Sequence, residues 1–184
     1  MLLVRHGESE FNKAFKKNKV DPGIPDPALT PLGLKQMRRS GKYLKAGSVT
    51  KLFSSPYRRA LESCTILNQH LNLTIVISSL IREQFGFSCD IGSTSDKLQE
   101  AWPLIDFADL PCTWWPDSPE SDEDVKKRTL VFIEDVKTSP DFDSTLVVCH
   151  WGVIRALTGL SVGNGAIVKI PKSGEPSVVY SPDV

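Results

Sequence analysis

An apolar run that ends abruptly in an arginine, a histidine and a glycine opens the chain: Leu2-Leu3-Val4-Arg5-His6-Gly7. It reads as a short buried strand that delivers polar groups at its C-terminal end, where ligand sites of open α/β sheets lie. Gly7 permits a sharp turn and a close approach of a bound group to the backbone, so Arg5 and His6 can both face an anion. The same arrangement returns further on. Val49 to Phe53 forms a second strand and ends in Ser54-Ser55-Pro56-Tyr57-Arg58-Arg59, a turn that feeds a helix with arginine in its first turn. A helix N-terminus offers free N–H groups and the positive end of a dipole, and an arginine fork holds phosphate oxygens in fixed geometry. A third strand, about Leu73 to Ile77, leads to Leu80-Ile81-Arg82-Glu83-Gln84-Phe85-Gly86-Phe87. A lone glutamate among apolar and aromatic neighbours keeps its proton to higher pH and can donate it near neutrality. Ser144 to Cys149 is a fourth strand, and it delivers His150 to another helix start. Taken singly, each residue has a plainer reading: a surface arginine beside a core histidine, a helix-surface Arg59, a Glu83 paired with Arg82.

Between these segments, Thr30 as N-cap and Pro31 as first helical residue start a helix expected to run to about Leu44. Lys13 to Lys19 is lysine-rich, either a solvated face or a surface that attracts an anionic substrate, and a Pro-rich loop from Asp21 to Pro27 follows. Ser88 to Ser121 is irregular and rich in Trp, Pro and Asp. It is expected to form a lid over the sheet end with one short helix, Ser95 to Trp102; most of its aromatics form the lid's own core, and one or two line the pocket. The acidic run Glu120 to Asp124 suits the start of a long amphipathic helix, Ser121 to about Val136. Ala166 to Ile170 and Ser177 to Tyr180 close the chain as strands. Strands alternating with helices predict an α/β fold: a three-layer sandwich with a mostly parallel central sheet flanked by helices, plus an irregular cap over the C-terminal strand ends. The 184 residues fit a single domain, with 88–121 as a lid segment within it.

Charge excludes some functions. Twenty-two basic and 22 acidic side chains balance to zero, which argues against nucleic-acid or membrane-surface partners. The opening apolar run is too short for a signal peptide, and no stretch approaches a spanning length, so a cytoplasmic protein is expected. Cys64, Cys89, Cys112 and Cys149 show no Cys-x-x-Cys spacing, so reduced thiols are expected rather than a zinc site or disulfides.

Taken in order, these segments resemble the histidine phosphatase superfamily, which includes cofactor-dependent phosphoglycerate mutases and many phosphomonoesterases. Arg5-His6-Gly7 is similar to its Arg-His-Gly signature, Leu29-Thr30-Pro31-Leu32-Gly33-Leu34-Lys35-Gln36 to its Leu-Thr-x-x-Gly-x-x-Gln helix start, and Ser55-Pro56-Tyr57-Arg58-Arg59-Ala60 to its Ser-Pro-x-x-Arg-Ala element. Arg82-Glu83-Gln84-Phe85-Gly86 resembles the acid-bearing segment, and His150-Trp151-Gly152-Val153-Ile154-Arg155 the second-histidine element. The resemblance implies that His6 is the nucleophile. Arg5, Arg59 and His150 would hold the phosphate oxygens, and Glu83 would protonate the leaving oxygen and then activate water. Asn12 would donate to the phosphate or order its loop, while Arg155 is assigned to structure. Two departures stand out: Trp151 where the family often has glycine, its ring narrowing the substrate pocket or packing beneath it, and Cys89-Asp90-Ile91-Gly92 where many members carry a Glu-Gly pair. Phosphoryl transfer needs positioning and cationic stabilisation, which two guanidiniums and a histidine supply, so no metal or other cofactor is expected. The implied activity is hydrolysis of a phosphorylated small molecule through a phosphohistidine. A cofactor-dependent phosphoglycerate mutase is the alternative within the fold, and a catalytically silent phospho-ligand binding domain the alternative outside it.

Overall fold

The computed structural model describes residues 1–45 and 47–182. Its strands are β1 (Leu2–Arg5), β2 (Lys51–Ser54), β3 (Ile75–Ile77), β4 (Thr145–Cys149), β5 (Ile167–Lys169) and β6 (Ser177–Tyr180). The helices are α1 (Glu10–Asn18), α2 (Pro31–Tyr43), α3 (Arg58–Leu71), α4 (Ser95–Ala101), α5 (Asp122–Thr138) and α6 (Trp151–Thr158). The six strands form one sheet in the order β3-β2-β4-β1-β5-β6. The first four are parallel to one another, β5 is antiparallel to β1, and β6 is antiparallel to β5 at the edge.

Alternating side chains of the central strands split the core into two halves. Val4, Leu52, Leu146, Val148 and Ile167 pack with Met37 of α2 and Ala60, Cys64 and Leu67 of α3. Leu3, Val147, Cys149 and Val168 pack on the other face with Phe132, Ile133 and Val136 of α5 and Val153 and Ile154 of α6. A sheet buried on both faces needs apolar residues at every position, which is why β4 reads Thr-Leu-Val-Val-Cys and is buried throughout. The three-layer α/β sandwich with a mostly parallel sheet is therefore present. Within the described residues, no helix is long and apolar enough to cross a membrane.

Two elements differ from expectation. The lysine-rich stretch lies in helix α1 up to Asn18, with Lys19 as its C-cap, and Ser9 caps the helix reciprocally with Asn12. Asparagine at the third helical position does the work of the usual Glu or Gln, which is why the start was not evident. β3 begins at Ile75 rather than Leu73: Asn72 ends α3 in the left-handed conformation, and the Asn68 side chain bonds both the N–H and the carbonyl of Leu73. In segment 88–121, Leu98, Ile105, Phe107, Leu110 and Trp114 form a third apolar cluster with Tyr57 and Leu61, and Trp102 and Trp115 pack against it.

Candidate active site

Strand register creates the site. β1 and β4 pair in parallel with Arg5 opposite Cys149, and the His6 N–H donates to the Cys149 carbonyl at 3.1 Å. The next residue of each strand is a histidine, so the two rings lie with centroids 5.0 Å apart although 144 positions separate them in sequence. β2 ends beside β4, and Ser55 Oγ lies 2.7 Å from His150 Nε2. The loop after β1 is fixed from three sides. Gly7 N–H donates to Ser63 Oγ, the Asn164 amide to the His6 carbonyl, and Glu8 N–H to Gln36. Gly7 also has a packing purpose: a Cβ there would collide with the Gly33 backbone of α2.

His6 Nδ1 lies 2.7 Å from the Gly7 carbonyl, which can only accept; Nδ1 therefore carries the proton and Nε2 keeps its lone pair. Burial, with Arg59 and Arg5 nearby, holds the His6 pKa well below the usual histidine value. The ring is neutral at pH 7 with its free nitrogen available. His150 is completely buried, and burial with Arg59 lowers its pKa too. It does not line the cavity itself, and its Nδ1 has no partner among the described residues.

Arg5 donates through Nη1 to the Val162 carbonyl at 2.7 Å, while its buried Nε has no partner among the described residues. Arg59 is almost fully buried, with Nη1 on the Cys89 carbonyl at 2.7 Å, Nη2 3.2 Å from Asp90 Oδ1, and its guanidinium over the Tyr57 ring. Asp90 was passed over in the sequence as part of a departure. It also accepts from Gly86 and Phe87 N–H groups and is the carboxylate that anchors Arg59. At the N-terminus of α3 the Arg58 N–H is already taken, by Asp26 Oδ1.

Glu83 comes to the site at the N-terminus of α6, where its Oε1 accepts the N–H groups of Gly152 and Gln84, each at 2.9 Å. Oε2 remains as the oxygen that can hold a proton. Burial and the neighbouring Asp90 raise the Glu83 pKa against the pull of Arg59. A Cβ on Gly152 would meet Glu83 Oε1, so glycine here makes room for the acid. Arg128 of α5 fixes the loop, donating to the carbonyls of Leu80, Arg82 and Glu83 and pairing with Glu120. Glu120 also accepts from Arg82 and the Phe85 N–H. Charged positions on an amphipathic helix read alike in sequence, and nothing there singled out Arg128.

The remaining candidates fall around this centre. A cavity of about 520 Å³ is lined by Arg5, His6, Arg59, Glu83, Asn12 and Trp151 together with phenylalanines and the two ends of segment 88–121. Asn12 Oδ1 is taken by Ser9 and Asn164, so only its amide nitrogen can face a ligand. The Trp151 ring forms part of the wall; its Nε1 donates to Ser161 and Arg155 stacks on it. Arg155 is otherwise paired with Asp122. Lys16 forms an ion pair with Glu8 at 2.8 Å. Trp102, Trp114 and Trp115 belong to or pack against the lid's own cluster, as expected of most of its aromatics, and none of them lines the cavity, where one or two were expected. Among the described residues, no cluster of three or more His, Cys, Asp or Glu side chains is arranged to hold a metal ion.

Arg5, His6, Arg59 and Glu83 share one cavity, and His150 adjoins His6. The chain belongs to the histidine phosphatase superfamily, branch 1, whose family model matches residues 1–166. A Hydrogenobacter thermophilus protein provisionally named phosphoserine phosphatase 2 is 28% identical over 199 residues, covering 97% of this chain and 92% of its own. A Methylorubrum extorquens 2,3-bisphosphoglycerate-dependent phosphoglycerate mutase is 29% identical over 173 residues, 85% of this chain and 76% of that one. The crystal structure of an Entamoeba histolytica phosphoserine phosphatase in complex with 3-phosphoglyceric acid shares the fold, with a TM-score of 0.66, 21% identity, and coverage of 100% and 96%. With this membership the chain is an enzyme of the phosphatase type.

Proposed function

We propose that the chain hydrolyses phosphate monoesters of small molecules without a metal ion, through a phosphohistidine on His6. His6 Nε2 attacks phosphorus, the P–O bond to the alcohol breaks, and Glu83 gives its proton to the departing oxygen. Water then attacks the phosphoimidazole, Glu83 takes a proton from it, and inorganic phosphate leaves with His6 restored. Arg5 and Arg59 stabilise the equatorial oxygens, and His150, adjoining His6 with Nε2 on Ser55 and Nδ1 unpartnered among the described residues, is assigned the same role by the family resemblance. Asn12 adds an amide donor. The observation that carries this reading is the Gly7 carbonyl on His6 Nδ1, which leaves a neutral imidazole with Nε2 as its nucleophilic nitrogen. Four free thiols support a cytoplasmic setting.

The test is phosphate release from a panel of monoesters in EDTA, with acid quench of labelled substrate to trap an acid-labile, alkali-stable phosphoenzyme. Release only with added magnesium, or a phosphoenzyme that survives in His6→Ala, would remove the mechanism. The mutase relatives favour a second reading. Primed conversion of 3-phosphoglycerate to 2-phosphoglycerate, faster than phosphate release, would establish it.

A further inference from the structure

Beyond the phosphate end, the cavity is walled by rings. Phe11 and Phe15, one turn apart on α1, have centroids 5.4 Å apart and stack at 14°. Phe87 crosses to both, 5.7 and 5.3 Å away, and is 47% exposed, a large apolar surface left open to solvent beside the catalytic groups. Phe85 and Trp151 complete the wall. The cavity volume of about 520 Å³ suits a ligand considerably larger than phosphate.

Charge sets the other half of the argument. Among the described residues lining the cavity, the cations are Arg5 and Arg59, and both belong to the phosphate end. The carboxyl groups lining it are Glu83, Asp90 and Glu120. Glu120 is neutralised from behind by Arg82 and Arg128, and Asp90 by Arg59. Lys16 lies over a neighbouring depression, beyond Asn12 and Phe15, with its ammonium held by Glu8. A carboxylate on the substrate's body would find no cation of its own and would face carboxyl groups, an uncompensated desolvation. A flat uncharged ring would find faces to stack on.

We propose that the physiological substrate is the phosphate monoester of an uncharged alcohol with a flat, largely apolar body, bound between Phe11, Phe15, Phe85, Phe87 and Trp151, and that α-carboxylate monoesters such as phosphoserine and 3-phosphoglycerate are disfavoured. This rests on the hydrolase reading above and narrows it.

The experiment compares kcat/KM for benzyl and 2-phenylethyl phosphate with O-phosphoserine and 3-phosphoglycerate; all release alkyl alcohols, so leaving-group quality does not dominate. The arylalkyl esters are expected to be preferred by about tenfold or more, the range one well-filled apolar subsite provides. Phe87→Ala is expected to lower that preference by about tenfold, mainly through KM. Equal or better turnover of phosphoserine or 3-phosphoglycerate, or an unchanged preference in Phe87→Ala, would overturn the proposal. Calorimetry separates it from the parent reading: 2-phenylethylphosphonate is expected to bind more tightly than 2-amino-4-phosphonobutyrate. If that order holds while no monoester is hydrolysed, the hydrolase reading fails and the aromatic subsite stands; the reverse order overturns the subsite whatever the turnover.

Discussion

The site has two halves held by different means. The histidine half is built by the sheet itself: β1 and β4 pair residue by residue, and His6 and His150 each follow the last paired position. The acid half has no strand under it. Glu83 follows a single 3₁₀ turn, Ser79–Ile81, and stays in place because Arg128 collects the carbonyls of Leu80, Arg82 and Glu83 while Gly152 and Gln84 hold its Oε1. A ladder of backbone bonds tolerates change in any one side chain, whereas a clamp built on one guanidinium fails when that side chain goes. The proposed nucleophile is thus secured by topology and the proposed proton donor by a few side chains.

The largest expected effect sharpens the first half. His6→Ala removes the only nucleophile proposed, and kcat should fall at least about 10⁴-fold on every monoester while far-UV circular dichroism is retained. Next comes Glu83→Gln. Alkyl phosphates should lose about 10²- to 10³-fold, and nitrophenyl phosphate, whose leaving group needs little protonation, far less. The pH profile separates this from a folding defect. Because Glu83 holds its proton above the ordinary carboxylate range, wild-type kcat should decline on the alkaline side as that proton is lost, and Glu83→Gln should remove this limb.

A smaller effect would break the comparison at the clamp. Arg128→Leu should lower alkyl-phosphate turnover by about tenfold with little change for nitrophenyl phosphate, mimicking a misplaced acid. Stability should drop by about 3 kcal/mol in urea unfolding, because partly buried Glu120 loses a partner. Equal losses on both esters would show that α5 supports the histidines as well.

The smallest effect is on stability against pH, where the halves oppose each other. His6 and His150 have folded pKa values depressed well below 6.5, so their contribution is present above that pH and is lost as pH falls below it, because the unfolded chain then binds more protons. Glu83 and Asp90 have raised values, so theirs is present below the ordinary carboxylate pKa and is lost as pH rises through the folded value. Urea stability should decline from pH 7 to pH 5, where the unfolded histidines take up protons that buried His6 and His150 refuse, and the decline should be smaller in His150→Asn.

Strand ends and helix starts were readable because they depend on neighbours in sequence. Three apolar residues before Arg5-His6-Gly7 gave the strand, Thr30-Pro31 gave the helix cap, and the all-apolar β4 announced burial on both faces. Residues whose purpose lies across the fold were not readable. Asp90 is a surface-type residue until Arg59 is placed against it; Gly7 and Gly152 differ only in what presses on them, the α2 backbone in one case and the Glu83 carboxyl in the other. The sequence by itself determined which chemical groups the chain carries and at which strand ends they emerge, since local hydrogen bonding and side-chain period suffice for that. Only the tertiary structure decided which nitrogen of His6 is free, what holds Arg59 and Glu83, and which rings wall the cavity, because each depends on packing between segments tens of residues apart.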